Sequence, residues 1–237
     1  MAEQVLPQIR PNDRICIFGM TGTGKSILAH YIFWQVPVRL PDDEHPTVGF
    51  WRICIDITDS IVDESVTFYT PDEIPWDLSD SLRFVPNIDT IETDVDILYQ
   101  EIMLHGSCWV WLDEANEISS AHKTVPGFRK VLLQGRKFLI GNCSVTPRPV
   151  DINKSIITQS EHQFIFGLVD EGDRRRVAGN VGMTLEDFDV VMSQLPDFGY
   201  LWYSVRDRTI FPMPPLPLDV VDSLEGVGRQ PRVHLAQ

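Results

Sequence analysis

Gly19, Gly24, Lys25 and Ser26 lie near the start of the chain at a spacing that suits phosphate chemistry. They fit G-x-x-x-x-G-K-[ST], in which the backbone surrounds phosphate oxygens, the lysine reaches the β- and γ-phosphates, and the hydroxyl ligates Mg²⁺. Glycine is required because the loop must approach the phosphates closely and adopt positive φ angles. The motif therefore predicts an ATP-binding segment made of Gly19, Met20, Thr21, Gly22, Thr23, Gly24, Lys25, Ser26 and Ile27.

A second group of residues that could take part in chemistry is the pair Asp113 and Glu114, which follows an apolar run at residues 107–112. A continuous apolar run is typical of a parallel strand buried on both faces, and ligands bind at the carboxyl ends of such strands. Any strand can end in acidic residues, but this chain also carries the phosphate loop. We therefore predict that Asp113 shares Mg²⁺ with Ser26, and that Glu114 orients and deprotonates the attacking water.

The elements that must position these groups alternate along the chain, as in an α/β domain. The sequence predicts strands at residues 14–18, 48–57, 66–69, 82–86, 107–112, 138–143 and 163–168, and a hairpin of 198–205 with 209–211. It predicts helices at residues 26–35, 93–105, 125–133, 151–159 and 184–195, with Thr93 and Thr184 as caps. Residues 59–81 read as an irregular, acidic segment.

Length and composition set the broad class. The chain has 237 residues, 43% hydrophobic content and a net charge of −14, which favours one domain and argues against a protein that coats nucleic acid. We expect an N-terminal arm at 1–13, the ATPase domain at 14–211 and a proline-rich, mobile tail at 212–237. The N-terminus lacks a signal-peptide pattern, no window is long enough to span a membrane, and four separated cysteines suit a reducing cytoplasm.

The segment 118–150 differs from this acidic background because it contains no Asp or Glu. Its cations are Lys123, Arg129, Lys130, Arg136, Lys137 and Arg148. Such a segment is expected to face something negative, either nucleic-acid phosphate or the γ-phosphate of ATP on a neighbouring subunit. The alternative is a solvated basic helix face.

The order of features after Glu114 carries a family resemblance. The features are Gln134-Gly-Arg136, the turn at 146–149, Val150-Asp-Ile152, the strand at 164–166, the pair Asp173-Arg174, and Phe198-Gly-Tyr200. Over residues 14–211 the chain resembles the FtsK/HerA superfamily of P-loop translocases, which includes the genome-packaging ATPases of membrane-containing viruses and phages. The resemblance implies a RecA/FtsK-like P-loop NTPase fold, with a mainly parallel central sheet flanked by helices and a C-terminal β-hairpin.

The resemblance also implies two further roles at the site. The family commonly has a polar sensor, Gln, at the end of the fourth strand; here Thr146 or Ser144 would have to take that role. Family members form rings in which an arginine reaches into the neighbouring site. Arg136 or Arg129 is the candidate here, with Arg174 third, since a planar guanidinium stabilises charge on a transferring phosphoryl group.

Together these features predict an ATP-hydrolysing translocase of double-stranded DNA, most simply a viral or phage packaging ATPase acting as a homo-oligomeric ring. Its small size suits a motor that is anchored by a capsid-vertex or membrane protein. We expect it to act in the host cytoplasm or on the virion. The alternatives are a protein-handling secretion or assembly motor, which net acidity favours, a small-molecule kinase, and a non-hydrolysing nucleotide switch. The Asp-Glu pair and the lack of an arginine-rich lid weaken the kinase alternative.

Overall fold

A computed structural model describes residues 9–39 and 49–227 of the chain. Its strands are β1 Arg14–Phe18, β2 Trp51–Ile55, β3 Val66–Phe68, β4 Ser81–Phe84, β5 Cys108–Leu112, β6 Ile140–Thr146, β7 His162–Ile165, β8 Tyr200–Ser204 and β9 Thr209–Met213. They form one nine-stranded sheet in the order β3-β4-β2-β5-β6-β1-β7-β8-β9. In this spatial order, the first seven strands, β3 through β7, pair in parallel. Strands β8 and β9 add an antiparallel hairpin. The predicted fold class, a mainly parallel sheet with a C-terminal hairpin, is confirmed.

Helices cover both faces of the sheet. They are α1 Lys25–Gln35, α2 Ile91–His105, α3 Pro126–Gln134, α4 Lys154–Thr158, α5 Glu171–Asn180, α6 Leu185–Ser193 and α7 Leu218–Val227. Helices α2 to α6 contribute to one hydrophobic core, whereas α1 lies in a second core on the other face, with α7 packed against it. Within the described ranges, no helix is long and apolar enough to cross a membrane.

Strand β5 shows why the run before Asp113 is continuously apolar. Val110 and Leu112 point into the core beneath α2 and α3, while Trp109 and Trp111 point into the core beneath α1. Successive side chains of a strand face opposite sides, so a strand covered on both faces needs apolar residues at every position. The predicted buried strand is confirmed, and it delivers Asp113 to the carboxyl edge of the sheet.

Several predicted boundaries are wrong. Thr93 does not cap α2, which begins at Ile91 after Thr90. The strand predicted at 138–143 begins at Ile140 and extends to Thr146, because residues 135–138 form a 3-10 turn. The strand predicted at 48–57 is the shorter β2, and residue 48 lies outside the described residues. Thr184 does cap α6, accepting a hydrogen bond from the Asp187 N–H at 3.1 Å.

Two helices, α5 and α7, were not predicted from the sequence. The segment from 170 onward lacked a clear periodic pattern, yet the structure forms α5 there, capped by Asp170. Helix α7 lies within the segment predicted as a proline-rich, mobile tail, so residues 218–227 are helical. Residues 1–8 of the predicted arm and 228–237 of the tail lie outside the described residues. The division of the chain into arm, domain and tail stays a prediction.

The four cysteines lie inside strands, and all are buried with free thiols. Burial raises the pKa of each thiol because a low-dielectric core disfavours the thiolate. Reactive cysteines need an exposed, electropositive setting, so these four fill space in the core.

Gly141 in β6 provides a test of how tightly the sheet packs. A methyl group there would lie 2.3 Å from Trp109 Cδ1 and 2.4 Å from the carbonyl oxygen of Pro11. Overpacking of this kind costs about 1–3 kcal/mol, so Gly141→Ala should lower the midpoint of urea unfolding. The matched control is Gly179→Ala in α5, where an added methyl would meet no atom within 4 Å beyond the adjacent residues and the backbone of its own helix, and stability should not fall. Equal midpoints for both variants would contradict the packing of β6.

Candidate active site

The loop between β1 and α1 has the backbone shape that phosphate binding requires. Gly22 and Gly24 have φ angles of 83° and 98°, in the left-handed region that favours glycine. A Cβ at Gly19 would lie 2.5 Å from Cβ of Phe166, so no larger residue fits there. The Met20 N–H donates to the carbonyl of Gly167 at 2.9 Å, which ties the loop to the segment after β7. The predicted phosphate loop therefore has its expected frame of strand, turn and helix.

Lys25 is the first residue of α1, and its side chain is folded over the loop. Its Nζ donates to the carbonyl oxygen of Met20 at 2.8 Å, and the residue is 6% exposed. Burial lowers the pKa of Lys25, while Glu114 and Asp113 act in the opposite direction. An ammonium held in this position can exchange one carbonyl partner for phosphate oxygens.

Ser26 and Asp113 meet across the site, although 86 residues separate them in the chain. The Ser26 hydroxyl donates to Oδ1 of Asp113 at 3.5 Å. Burial, with the nearby carboxylates of Glu114 and Asp56, raises the pKa of Asp113 to about 7. Such crowding of carboxylates around a buried acid is what a bound cation relieves.

The donor set fits Mg²⁺, because a hydroxyl and a carboxylate are the hard oxygen ligands that this ion prefers. Within the described parts of the chain, no group of three or more His, Cys, Asp or Glu side chains forms a cage for a metal. Mg²⁺ is commonly held by one or two carboxylates together with substrate phosphates, rather than by a complete protein cage. Ser26 and Asp113 therefore suit a metal that arrives with a triphosphate.

Glu114 has an unusual backbone. Its φ and ψ angles are 51° and 54°, and it immediately precedes the 3-10 turn Ala115–Glu117. A left-handed conformation at a residue other than glycine is uncommon and costs roughly 1 kcal/mol or more. Burial raises the pKa of Glu114, Lys25 opposes this shift, and Glu117 adds to it. A carboxylate with a raised pKa, held beside the lysine of the loop, is a suitable general base.

The two sensor candidates lie on β6, which runs between β5 and β1. In register, Thr146 lies beside Phe18, the last residue before the loop, and Ser144 lies beside Leu112. Thr146 therefore ends its strand at the same edge as the loop and the acidic pair. Its hydroxyl lies 3.5 Å from Oδ1 of Asn116, whereas Ser144 lies deeper and accepts a hydrogen bond from Asn142. Of the two candidates, Thr146 is the one that lies at the carboxyl edge of the sheet.

The three arginine candidates occupy different places. Arg136 precedes β6 at the amino edge of the sheet, where it pairs with Glu161 at 3.0 Å. Strand β6 has seven residues, so its ends lie roughly 20 Å apart at about 3.3 Å per residue. The structure therefore does not bring Arg136 to its own chain's site. Arg174 pairs with Asp189 at 3.1 Å. Arg129 is exposed in the first half of α3.

The basic segment is only partly neutralised. Lys123 pairs with Glu92, Arg136 with Glu161, and Arg148 with Asp151, Asp170 and Asp173. Within the described ranges, Arg129, Lys130 and Lys137 are exposed and form no ion pair. The cations available to an external anion are thus fewer than the sequence predicted.

Sequence reasoning missed two features beside the site. Asp56, at the end of β2, is fully buried and accepts hydrogen bonds from the N–H of Ile61 at 2.8 Å and from Arg83 at 2.9 Å. The sequence showed an acid at a strand end but not its distance from Asp113. Phe166 packs against the loop glycines, and its spacing from them in sequence gave no signal of that contact.

These elements meet at one edge of a parallel sheet: a glycine-rich loop opening a helix, a buried acid at the end of a neighbouring strand, and a second carboxylate beside it. The fold and the site define a P-loop NTPase.

Comparisons with known proteins agree with this class. No family model matches the chain. The DNA packaging ATPase P9 of Enterobacteria phage PRD1 is 27% identical over 215 residues, covering 87% of this chain and 89% of its own length. The genome packaging NTPase B204 of Sulfolobus turreted icosahedral virus 2, in complex with AMP, superposes with a TM-score of 0.67 at 17% identity over 88% of this chain and 100% of that one.

A more distant structure, the pCW3 conjugation coupling protein TcpA in its monomer form with ATPγS, superposes with a TM-score of 0.51. It is 14% identical and covers 91% of this chain and 65% of its own. At such identities these superpositions show a shared fold. The resemblance to viral packaging ATPases, predicted from the sequence, is confirmed by the similarity to the phage PRD1 protein.

The role of Glu114 can be tested by removing its charge while keeping its size. Glu114→Gln should slow ATP hydrolysis about a hundredfold or more, because loss of a general base typically costs that much. Binding of a non-hydrolysable ATP analogue should persist, because Lys25 and the loop remain intact. The matched control is Glu117→Gln, an exposed carboxylate three residues further on. Equal hydrolysis rates in the two variants would contradict the role of Glu114 as the general base.

Proposed function

We propose that the chain is an ATP-hydrolysing DNA translocase that packages a viral or phage genome. The observation that carries the ATPase assignment is the meeting of Ser26 with Asp113 at 3.5 Å, with Lys25 and Glu114 beside them. The DNA assignment is supported by the relative from phage PRD1, a DNA packaging ATPase whose similarity covers 87% of this chain. The similarity therefore extends well beyond the phosphate loop.

Each side chain has a separate task in the proposed hydrolysis. Lys25 leaves the carbonyl of Met20 and binds phosphate oxygens, and Ser26 with Asp113 would hold Mg²⁺. The metal, when bound, neutralises charge on the β- and γ-phosphate oxygens. Glu114 accepts a proton from the attacking water. Thr146 would position that water or the γ-phosphate, in the role that Gln commonly has in the family.

DNA is proposed to meet the chain at the unpaired cations of the basic segment. Lys130 on α3 and Lys137 in the following turn are exposed and make no ion pair with a described residue. Because the chain carries a net charge of −14, repulsion elsewhere on the surface would confine DNA to such a face. Phosphate contacts of this kind weaken steeply as salt rises, since they release counterions.

A ring of identical subunits would complete the site. We propose Arg129 as the arginine that reaches a neighbour's ATP, because Arg136 is engaged with Glu161 and Arg174 with Asp189. A capsid-vertex or membrane protein would anchor the ring, which would act in the host cytoplasm or on the virion. The guanidinium of Arg129 would there stabilise charge on the transferring phosphoryl group.

The test is steady-state ATP hydrolysis with and without double-stranded DNA, at low and moderate salt. We expect DNA to stimulate hydrolysis at low salt and the stimulation to fade as salt rises. Lys130→Ala should lower the stimulation while hydrolysis without DNA persists. The matched control is Lys154→Ala, an exposed lysine outside the basic segment.

Hydrolysis that does not respond to DNA at any salt concentration would contradict the DNA assignment and favour a motor that handles protein, which the net acidity would suit. Equal loss of stimulation in Lys130→Ala and Lys154→Ala would contradict the proposed DNA-binding face. Hydrolysis that survives chelation of divalent cations would contradict the role given to Ser26 and Asp113.

A further inference from the structure

We infer that a cavity between the phosphate loop and the segment 192–199 binds the nucleoside of the triphosphate, with its base stacked on Phe198. The inference rests on the proposed ATPase function and assigns a part of the site that the phosphate-binding motifs do not specify. It predicts that the chain recognises nucleotides through this aromatic side chain as well as through their phosphates.

The direction in which a bound nucleotide lies follows from the order of the strands. Asp113 and Glu114 directly follow β5, and Thr146 ends β6, so the groups suited to the γ-phosphate lie on one side of β1. The nucleoside must then leave the loop on the other side. There β7 is the next strand, and the chain beyond it leads to α5, α6 and Phe198.

A cavity of about 360 Å³ lies on that side, a size typical of small-molecule sites. One wall is formed by Gly22 and Thr23 of the phosphate loop. The opposite wall is formed by Met192, Leu195 and Pro196, which supply apolar surface. A cavity with phosphate-binding backbone on one wall and apolar side chains on the other matches the two halves of a nucleotide.

A second cavity near the loop, of about 290 Å³, fits less well. It is lined by Ser26, Ser60 and Trp111, on the side of the metal-binding pair. A nucleoside placed there would put its base, rather than its γ-phosphate, next to Asp113. The position of Asp113 and Glu114 therefore favours the first cavity as the nucleoside site.

Phe198 has the position and exposure expected of a stacking platform. It is 62% exposed, and a Cβ added to Gly24 at the start of α1 would lie 3.9 Å from its Cδ1. Its φ angle of 60° is uncommon for a bulky residue, and the turn is closed by a hydrogen bond from Gly199 N–H to the carbonyl of Pro196 at 2.9 Å. This turn holds the ring at the mouth of the cavity, where a base can cover it.

Asp197 gives the same cavity a polar group. It is exposed and makes no hydrogen bond or ion pair with any residue that the structure describes. A carboxylate only accepts hydrogen bonds, so it suits the hydroxyl or amino donors of a nucleoside and disfavours phosphate. The cavity is therefore built for the nucleoside end of the ligand.

The experiment compares Phe198→Ala with the wild-type chain, using ATP as substrate and inorganic tripolyphosphate as a competitive inhibitor. Base stacking on an aromatic residue, measured by alanine substitution, corresponds to roughly 5- to 150-fold in affinity. We expect KM for ATP to rise by that factor while kcat changes little. The inhibition constant of tripolyphosphate, which has no base, should stay the same.

Two further variants make the result specific. Phe198→Tyr keeps an aromatic ring and should restore KM. Tyr69→Ala removes another exposed aromatic side chain, 66% exposed and close to the far edge of the sheet, and should leave KM unchanged. Thermal unfolding without nucleotide checks that each variant is folded.

The outcomes separate the inference from the function on which it rests. An unchanged KM in Phe198→Ala, or an equal loss for ATP and tripolyphosphate, overturns the nucleoside site and leaves the ATPase proposal standing. A wild-type chain that neither binds nor hydrolyses ATP overturns both.

Discussion

The site depends on three parallel strands, β1, β6 and β5, ending at the same edge of the sheet. Their register places Phe18 beside Thr146 and Leu112 beside Ser144. The loop and the acidic pair consequently face each other across one intervening strand. Since each backbone hydrogen bond fixes this alignment and a one-residue slip would turn every side chain to the opposite face, the register is strongly determined by the two apolar cores. The sheet thus supplies the precision that the chemistry needs.

Without a ligand, the site is energetically unfavourable because it combines electrostatic repulsion with backbone strain. Asp56, Asp113 and Glu114 bring three carboxylates close together; Arg83 pairs with Asp56, and Lys25 provides positive charge beside the other two. Glu114 also has a left-handed backbone. Strain and uncompensated charge concentrate where a ligand will relieve them. A metal bound to a triphosphate would supply the missing cation, which explains why a stable sheet carries such a cluster at its edge.

The sequence predicted the fold and the centre of the site because both depend on local patterns. The glycine spacing fixes the loop, and the run before Asp113 reports a strand buried on both faces. The features that the sequence did not predict depend on tertiary packing. The position of Arg136 at the opposite edge follows from where α3 ends, the depth of Asp56 follows from its neighbours in the sheet, and the placement of Phe198 follows from a turn after α6. Helix α5 has a strongly polar surface, so its apolar periodicity was too weak to recognise.

The most direct test of the account is the affinity of a non-hydrolysable ATP analogue, measured by calorimetry with Mg²⁺ for the wild-type chain and for Lys25→Ala. The account predicts one analogue bound per wild-type chain and at least about tenfold weaker binding in the variant, because a charge-assisted hydrogen bond to phosphate contributes more than 1.4 kcal/mol. Lys154→Ala should bind like the wild type. Equal affinity of Lys25→Ala and the wild-type chain would show that the nucleotide does not bind at this loop.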